Sequence, residues 1–327
     1  MKTNVAVVYG GRTGEHEISH RSAKSIIEAL DAEKYKVLHY VISKEGKWSP
    51  RPIVPEPGGN AGIDVVFPVL HGTFGEDGTV QGLLELADLP YVGAGVLASS
   101  ISMDKEMMKR VARERGLPVV EYRVVSGPSD AAWAELGFPV FVKPANLGSS
   151  VGISKAHDRK ELGPAIAEAA KFDRKIVIEE GVGGKKNKAR EIECAVLGND
   201  DPKASVAGEI VPCKEFYDYD AKYLAEGSEL VIPAKITKAE MKTVQTLSIA
   251  AFQAVDCTGL ARVDFLMDPK SRRIYVNEIN TMPGFTAISM YPKLWAATGV
   301  SYPELIDRLI QLGIERHEDK KRNQYSR

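Results

Sequence analysis

Apolar and polar positions fall into two regimes along the chain. In the first, short apolar runs alternate with helical stripes. Val5 to Tyr9 is an apolar run ending at Gly10-Gly11, the pattern of a buried parallel strand. Ala23, Ile26, Ile27 and Leu30 then form one stripe at helical spacing. Tyr35 to Ile42 and Ile63 to Leu70 read as further strands, the latter running into the glycine-rich loop HGTFGEDG. Thr79 to Ala87 reads as a helix and Pro90 to Val92 as a short strand, while residues 49–62 form a Pro/Gly loop. This alternation predicts a parallel sheet with helices on both faces.

The second regime begins near residue 100. A charged helix over Lys105 to Arg115 is stopped by Gly116 and Pro118. Strand-like runs follow at Phe138–Lys143, Lys175–Glu180, Ile192–Leu197 and Ser205–Val211, separated by glycine-rich loops, which predicts antiparallel sheet. Thr237 and Glu240 have capping-box spacing and start a helix with the stripe Met241, Val244, Ala251, Phe252, Val255. Ser301 and Glu304 have the same spacing, and Gly313 is placed just beyond that helix's end. Residues 315–327 lack apolar periodicity and are expected to fray as a tail. No internal repeat is present.

Composition narrows the function classes. A chain of 327 residues divides into two or three domains at roughly 100–200 residues each. The 43 basic and 44 acidic residues balance to a net charge of −1, which argues against nucleic acid as a partner but leaves room for a small anion in a local basic pocket. Cys194, Cys213 and Cys257 contain no CxxC pair, so three reduced thiols are expected rather than a zinc site or disulfides. The apolar run at the N-terminus is too short for a signal peptide and no run has membrane-spanning length, so a cytoplasmic location away from membranes is expected.

Neither common nucleotide fingerprint is present. GxxxxGK[ST] has no match, and GxGxxG fails at Tyr9 although Gly11 and Gly14 fit. The sharpest constellation is Asp264, Glu278 and Asn280 on the strands ARVDFLMD and IYVNEIN, joined by DPKSRR. A turn centred near Lys270–Ser271 sets Asp264 opposite Glu278 and Arg262 opposite Asn280, on one face. Two carboxylates and an amide suit Mg²⁺; an ordinary solvated sheet face with cross-strand pairs is the other reading. The adjacent NTMPGFT bend suits close approach of backbone to a ligand. Lys143 to Gly152 is a strand-ending lysine followed by small residues, either a phosphate cradle or a plain hairpin turn. FYDYDAKYL, with Lys222 and Tyr223, is either a lid or a surface loop. Glu15 and His71 follow strands at the carboxyl edge of the first sheet, where open α/β sheets bind ligands. Glu15 could hold a substrate amine or cap its helix.

Taken in order, GGRTGEHEIS, HGTFGEDGTVQG, SMDK, KPANLGSSVG, FYDYDAKY, ARVDF and NEINTMPGFT make the sequence similar to the D-alanine–D-alanine ligases of the ATP-grasp superfamily, over about residues 4–314. The loop over residues 49–62 is shorter than is common in that family and lies away from these motifs. The resemblance implies an α/β and α+β fold: a Rossmann-like N-terminal domain (1–103) followed by a two-part ATP-grasp fold, central (104–190) and C-terminal (191–314), with a tail (315–327). It implies ATP-dependent ligation of two D-alanines through a D-alanyl phosphate for peptidoglycan precursors, in a cytoplasmic homodimer. Lys105, Lys143 and Lys222 would contact ATP phosphates, with Ser149 and Ser150 in the same loop region. Glu179, Glu180 and Val182 would line the adenine pocket and Glu191 would bind ribose. Asp264, Glu278 and Asn280 would hold two Mg²⁺ ions, with Mn²⁺ as the alternative. Arg262 and the Gly284 N–H would stabilise an oxyanion. Glu15 would bind the first substrate's ammonium with His71 nearby, and Ser289 and the Met290 N–H would receive the second substrate's carboxylate. Glu15, Ser149 and Tyr223 would latch the lid against water. Tyr223 favours the dipeptide over a D-alanine–D-lactate product; a D-alanine–D-serine ligase is a further alternative. A non-catalytic nucleotide binder would be expected to lack these ligands, and a nicotinamide dehydrogenase is disfavoured by Tyr9.

Overall fold

The computed structural model describes residues 2–127, 136–148, 151–184, 187–212, 229–286 and 288–324. The first sheet has the order β3-β2-β1-β4, with β1 (Thr3–Gly10), β2 (Tyr35–Ile42), β3 (Trp48–Ser49) and β4 (Val65–Val69). β1 pairs in parallel with β2 and β4, as the alternation predicts, and only the two-residue β3 runs antiparallel. Successive side chains of β1 serve opposite faces. Val5 and Val7 join Ala23 and Ile26 of α1 (His16–Ala29), whereas Ala6 and Val8 join Val80 and Leu84 of α2 (Thr79–Leu86). Residues 90–92 form no strand beyond a single bridge between Val66 and Tyr91.

The linking helices are α3 (Val96–Met103), whose small polar residues carry no clear stripe, and α4 (Lys105–Glu114). Asp104 caps α4 by accepting from the Glu106 and Met107 amides. The central sheet has the order β5-β8-β6-β7, with β5 (Tyr122–Val125), β6 (Val140–Pro144), β7 (Ser154–Ala156) and β8 (Ile176–Glu180), and α5 (Arg159–Ala169) covers it. The third sheet has the order β11-β10-β9-β12-β13, with β9 (Arg190–Gly198), β10 (Lys203–Val211), β11 (Glu229–Val231), β12 (Gly259–Met267) and β13 (Ile274–Asn280). Every described pairing in these two sheets is antiparallel, as expected. α6 (Lys238–Ala254) opens on the expected capping box, both halves of which form, and buries Val244, Ala251 and Phe252 against the third sheet.

The C-terminus departs from expectation. α8 (Tyr302–Lys320) follows α7 (Met290–Ala297) and runs through Gly313 and six residues into the expected tail. Gly313 is therefore no helix stop: a Cβ there would lie 2.5 Å from the Tyr91 carbonyl oxygen, so glycine lets α8 press on the first sheet. Arg316 then bonds the Gly93 carbonyl and Thr258 and covers the Tyr91 ring. Polar contacts thus hold a segment without an apolar stripe. Ser301 makes no side-chain cap, and Glu304 pairs with Arg308 at 2.6 Å. One hydrophobic cluster joins α1, β1 and β4 to α7 and α8, with Phe285 at its centre, edge-on to Phe67.

Candidate functional site

The central and third sheets face each other across a cleft. Lys143 from β6, Glu179 and Glu180 from β8 and Val182 just beyond it line one wall; Glu191 and Glu193 from β9, Asp264 from β12 and Asn277 and Glu278 from β13 line the other. Seven residues singled out from sequence (Lys143, Glu179, Glu180, Val182, Glu191, Asp264, Glu278) therefore converge on one space.

The β12–β13 hairpin has the expected register: Arg262 opposes Asn280 and Asp264 opposes Glu278. Asp268 starts the turn by accepting from the Lys270 and Ser271 amides. A bulge follows Asp264, and Phe265 pairs with Val276, so Asn277 is the extra residue. The bulge turns Asn277 into the cleft beside Glu278. Arg262 forks onto Asp264, its Nε to Oδ1 and its second terminal nitrogen to Oδ2, both at 2.7 Å, and Nε lies 3.0 Å from Glu193. Asn280 Nδ2 donates to Asp264 Oδ2 at 2.9 Å. These carboxylates hold Arg262 protonated despite the cost of burial. Among the described residues no three His, Cys, Asp or Glu side chains gather as a metal cluster. The donor set at the hairpin is instead two carboxylates and one amide. That suits Mg²⁺, which keeps water and phosphate oxygens in its shell, and not an all-protein cage.

On the opposite wall Lys143 donates to Glu179 Oε2 at 2.7 Å and lies 3.5 Å from Asn277 Oδ1. Glu179 Oε1 lies 3.1 Å from the ammonium of Lys109, a lysine on α4 with no exposed surface. Burial would raise the Glu179 pKa, but the two lysines outweigh it and hold the carboxyl down to about 2. Lys105, one turn before Lys109, donates to the Leu147 carbonyl at 2.6 Å, and its own amide bonds the Ala145 carbonyl. The α4 N-terminus thus grips the loop after Lys143.

A second group collects where the first sheet meets that loop. Glu15 starts α1 without a side-chain cap, so helix capping does not explain it. Its carboxylate abuts two glycines. A Cβ on Gly72 (φ +73°) would lie 2.7 Å from Glu15 Oε2, and one on Gly148 would lie 3.5 Å away. His71 is held on both sides: Nδ1 meets the Met282 carbonyl at 3.1 Å and Nε2 meets Ser22 Oγ at 3.0 Å. Ser22 Oγ also accepts from the Phe285 amide. A neutral ring donating from Nδ1 and accepting at Nε2 satisfies this chain, and burial pushes the His71 pKa down accordingly. His71 therefore braces the residue 281–285 loop against α1. Glu76 accepts from the Gly72 amide at 2.8 Å, and burial followed by the nearby Glu15 charge pushes its pKa up to about 8. Arg262 and Glu278 also act on Glu76, which ties this group to the hairpin.

Gly284 leads into a tight turn: a Cβ there would lie 2.9 Å from Ser289 Oγ. Ser289 Oγ accepts from the Thr286 amide and sits 2.8 Å from Thr286 Oγ1. Met290 is the first residue of α7, whose first-turn amides have no intrahelical acceptor. Ser149, Ser150, Lys222 and Tyr223 lie outside the described residues.

Sequence reasoning missed Lys109, Glu76, Asn277 and Glu193. Glu76 lies inside HGTFGEDG, and Glu193 is two residues from Glu191 on the same strand face, a signal that period-two reading could have used. Lys109 sits four residues after Lys105, on the same helix face. Asn277 depends on the bulge, which leaves no mark in the pattern.

Comparisons with known proteins match the chain along nearly its whole length. The family description "D-ala D-ala ligase N-terminus" matches residues 4–57 and 55–94, and "D-ala D-ala ligase C-terminus" matches residues 104–311. A D-alanine–D-alanine ligase of Solibacter usitatus is 57% identical, with all of both chains covered. The solved structure of a D-alanine–D-alanine ligase from Coxiella burnetii has 39% identity and a TM-score of 0.86, covering 98% of this chain and 96% of that one. VanG, a D-Ala:D-Ser ligase from Enterococcus faecalis, has 32% identity and a TM-score of 0.87, covering 96% and 100%.

Proposed function

The chain belongs to the D-alanine–D-alanine ligase family, and from that premise we propose that it joins two D-alanines at the expense of ATP. The observation that carries this reading is the cleft in which Lys143 faces Asp264 and Glu278. The products are D-alanyl-D-alanine, ADP and phosphate, for peptidoglycan precursors. The first substrate's carboxylate attacks the γ-phosphate to give an acyl phosphate, and the second substrate's amine then displaces phosphate.

The chain's residues divide this work. Lys143 and Lys105 meet the polyphosphate, while Glu179, Glu180 and Val182 line the adenine end and Glu191 takes the ribose. Asp264, Glu278 and Asn280 present the oxygens that would hold two Mg²⁺ ions, with Mn²⁺ as the alternative. The ions, when bound, supply neutralisation of phosphate charge. Glu15 binds the first ammonium. Glu76, protonated in most molecules at neutral pH, adds little competing charge beside it. Arg262 and the Gly284 amide offset the oxyanion, and Ser289 with the Met290 amide receives the second carboxylate at the start of α7. Ser149, Ser150, Lys222 and Tyr223 complete the phosphate loop and lid on the family resemblance alone. The same resemblance supports domains at 1–103, 104–190 and 191–314, a homodimer and a cytoplasmic location. No described helix is long and apolar enough to cross a membrane.

The test is phosphate release with Mg·ATP and D-alanine, L-alanine, or D-alanine paired with D-serine or D-lactate. D-alanine alone should support turnover, and Asp264→Asn should lower kcat by about a hundredfold or more. Release only when D-serine is added would shift the reading to the VanG-like ligation. No D-alanine-dependent release would overturn it.

A further inference from the structure

Among the described residues Lys109 is the one basic side chain behind the cleft wall with no exposed surface. It cannot touch a ligand in the cleft, yet it is not an isolated buried charge. Glu179 gives one carboxylate oxygen to Lys109 (3.1 Å) and the other to Lys143 (2.7 Å), so two cations share one anion. The Lys109 contact is close enough for an ion pair but poorly aligned as a hydrogen bond, whereas that of Lys143 is a true hydrogen bond. α4 is rooted in the third sheet's core through Met108 and Ala112, which fixes where Lys109 enters. Taking the nucleotide reading of the cleft as given, we infer that Lys109 is a positioning residue that keeps Lys143 available to the polyphosphate by taking up part of the Glu179 charge.

Without Lys109, Glu179 and Lys143 form a closed one-to-one pair, and a polyphosphate must compete with a buried carboxylate for its cation. Burial pushes the Lys109 pKa down from its ordinary value against the pull of Glu179; in its ammonium form Lys109 leaves the trio one net positive charge, in a setting where charge is poorly screened. With the Glu179 charge removed there is nothing for Lys109 to share, so charge sharing predicts that losing Lys109 then has little effect on nucleotide binding. A role confined to packing does not.

The experiment titrates ADP calorimetrically into wild type, Lys109→Met, Glu179→Gln and the Lys109→Met/Glu179→Gln double variant, with thermal melts and steady-state kinetics in parallel. Lys109→Met should weaken ADP binding about tenfold and raise the ATP KM alike, with kcat changed less than about threefold. The double variant should bind ADP within about threefold of the Glu179→Gln single variant. A folded Lys109→Met with wild-type ADP affinity, or a folded double variant about tenfold weaker than Glu179→Gln, overturns the inference. Should Lys109→Met fail to fold, the comparison of the double variant with Glu179→Gln decides, since neither carries the Glu179 charge. Failure of wild type itself to bind ADP removes the nucleotide reading, whereas wild-type binding unchanged by Lys109→Met removes only the role of Lys109.

Discussion

Glu76 shows how one carboxyl's surroundings set its charge. The Gly72 amide and the Arg262 charge, which favour its ionised form, are outweighed by burial and by Glu15, and its pKa sits at about 8 against an ordinary 4.5. The folded protein therefore holds a proton on Glu76 through a window, from about 4.5 to 8, in which the unfolded chain has lost it. Because the folded state binds the extra proton there, stability must fall as pH rises across that window. The slope attributable to this group is at most about 1.4 kcal/mol per pH unit, since neighbouring groups share the titration. Glu76→Gln keeps an acceptor for the Gly72 amide and removes the titration. Denaturant melts from pH 5 to 8.5 should show the variant gaining on wild type as pH rises; parallel curves would refute the protonated Glu76.

At the scale of elements, α8 sets two effects against each other at Gly313. In an exposed helix interior, Gly→Ala gains about 1 kcal/mol. Here the new Cβ would meet the Tyr91 carbonyl oxygen at 2.5 Å and its carbon at 2.8 Å, both backbone atoms that cannot rotate aside. The clash wins, and Gly313→Ala should cost about 1–3 kcal/mol net. A raised melting temperature would show that α8 does not bear on the first sheet as described. The same glycine explains why sequence reading ended this helix early: a glycine followed by charged residues resembles a stop and a tail, and only the Tyr91 and Gly93 carbonyls reveal why helix continues. The β12–β13 hairpin was the opposite case. Period two and a six-residue turn sufficed to pair Asp264 with Glu278, because register in a short hairpin is set locally. Lys109 shares a helix face with Lys105, but its burial depends on partners far along the chain, and the bulge that adds Asn277 leaves no mark in the apolar pattern.

Across the whole molecule, the three sheets are not joined alike. The first and third share a hydrophobic cluster through Phe285, Tyr291 and α8. The central sheet keeps small clusters of its own, around Val142 and Ile166 and around Val177, and meets its neighbours largely through polar links. Lys175 reaches Asp104 and Glu106 at 2.5 and 3.0 Å, the Lys105 amide bonds Ala145, and Glu179 bridges Lys109 and Lys143. Ionic links of this kind contribute less than a shared apolar core, so the central sheet should open at lower free energy than the other two. A nucleotide gripped between the central and third sheets adds contacts across that weaker seam and stabilises by RT ln(1 + [L]/Kd), about 2.7 kcal/mol at a hundredfold excess over Kd. Amide hydrogen exchange should therefore slow on adding ADP, most in β6 and β8 and the loop after Lys143, and least in β1 and β4. Equal slowing in all three sheets would mean that they open as a single unit and that the seam has no separate stability for the ligand to raise.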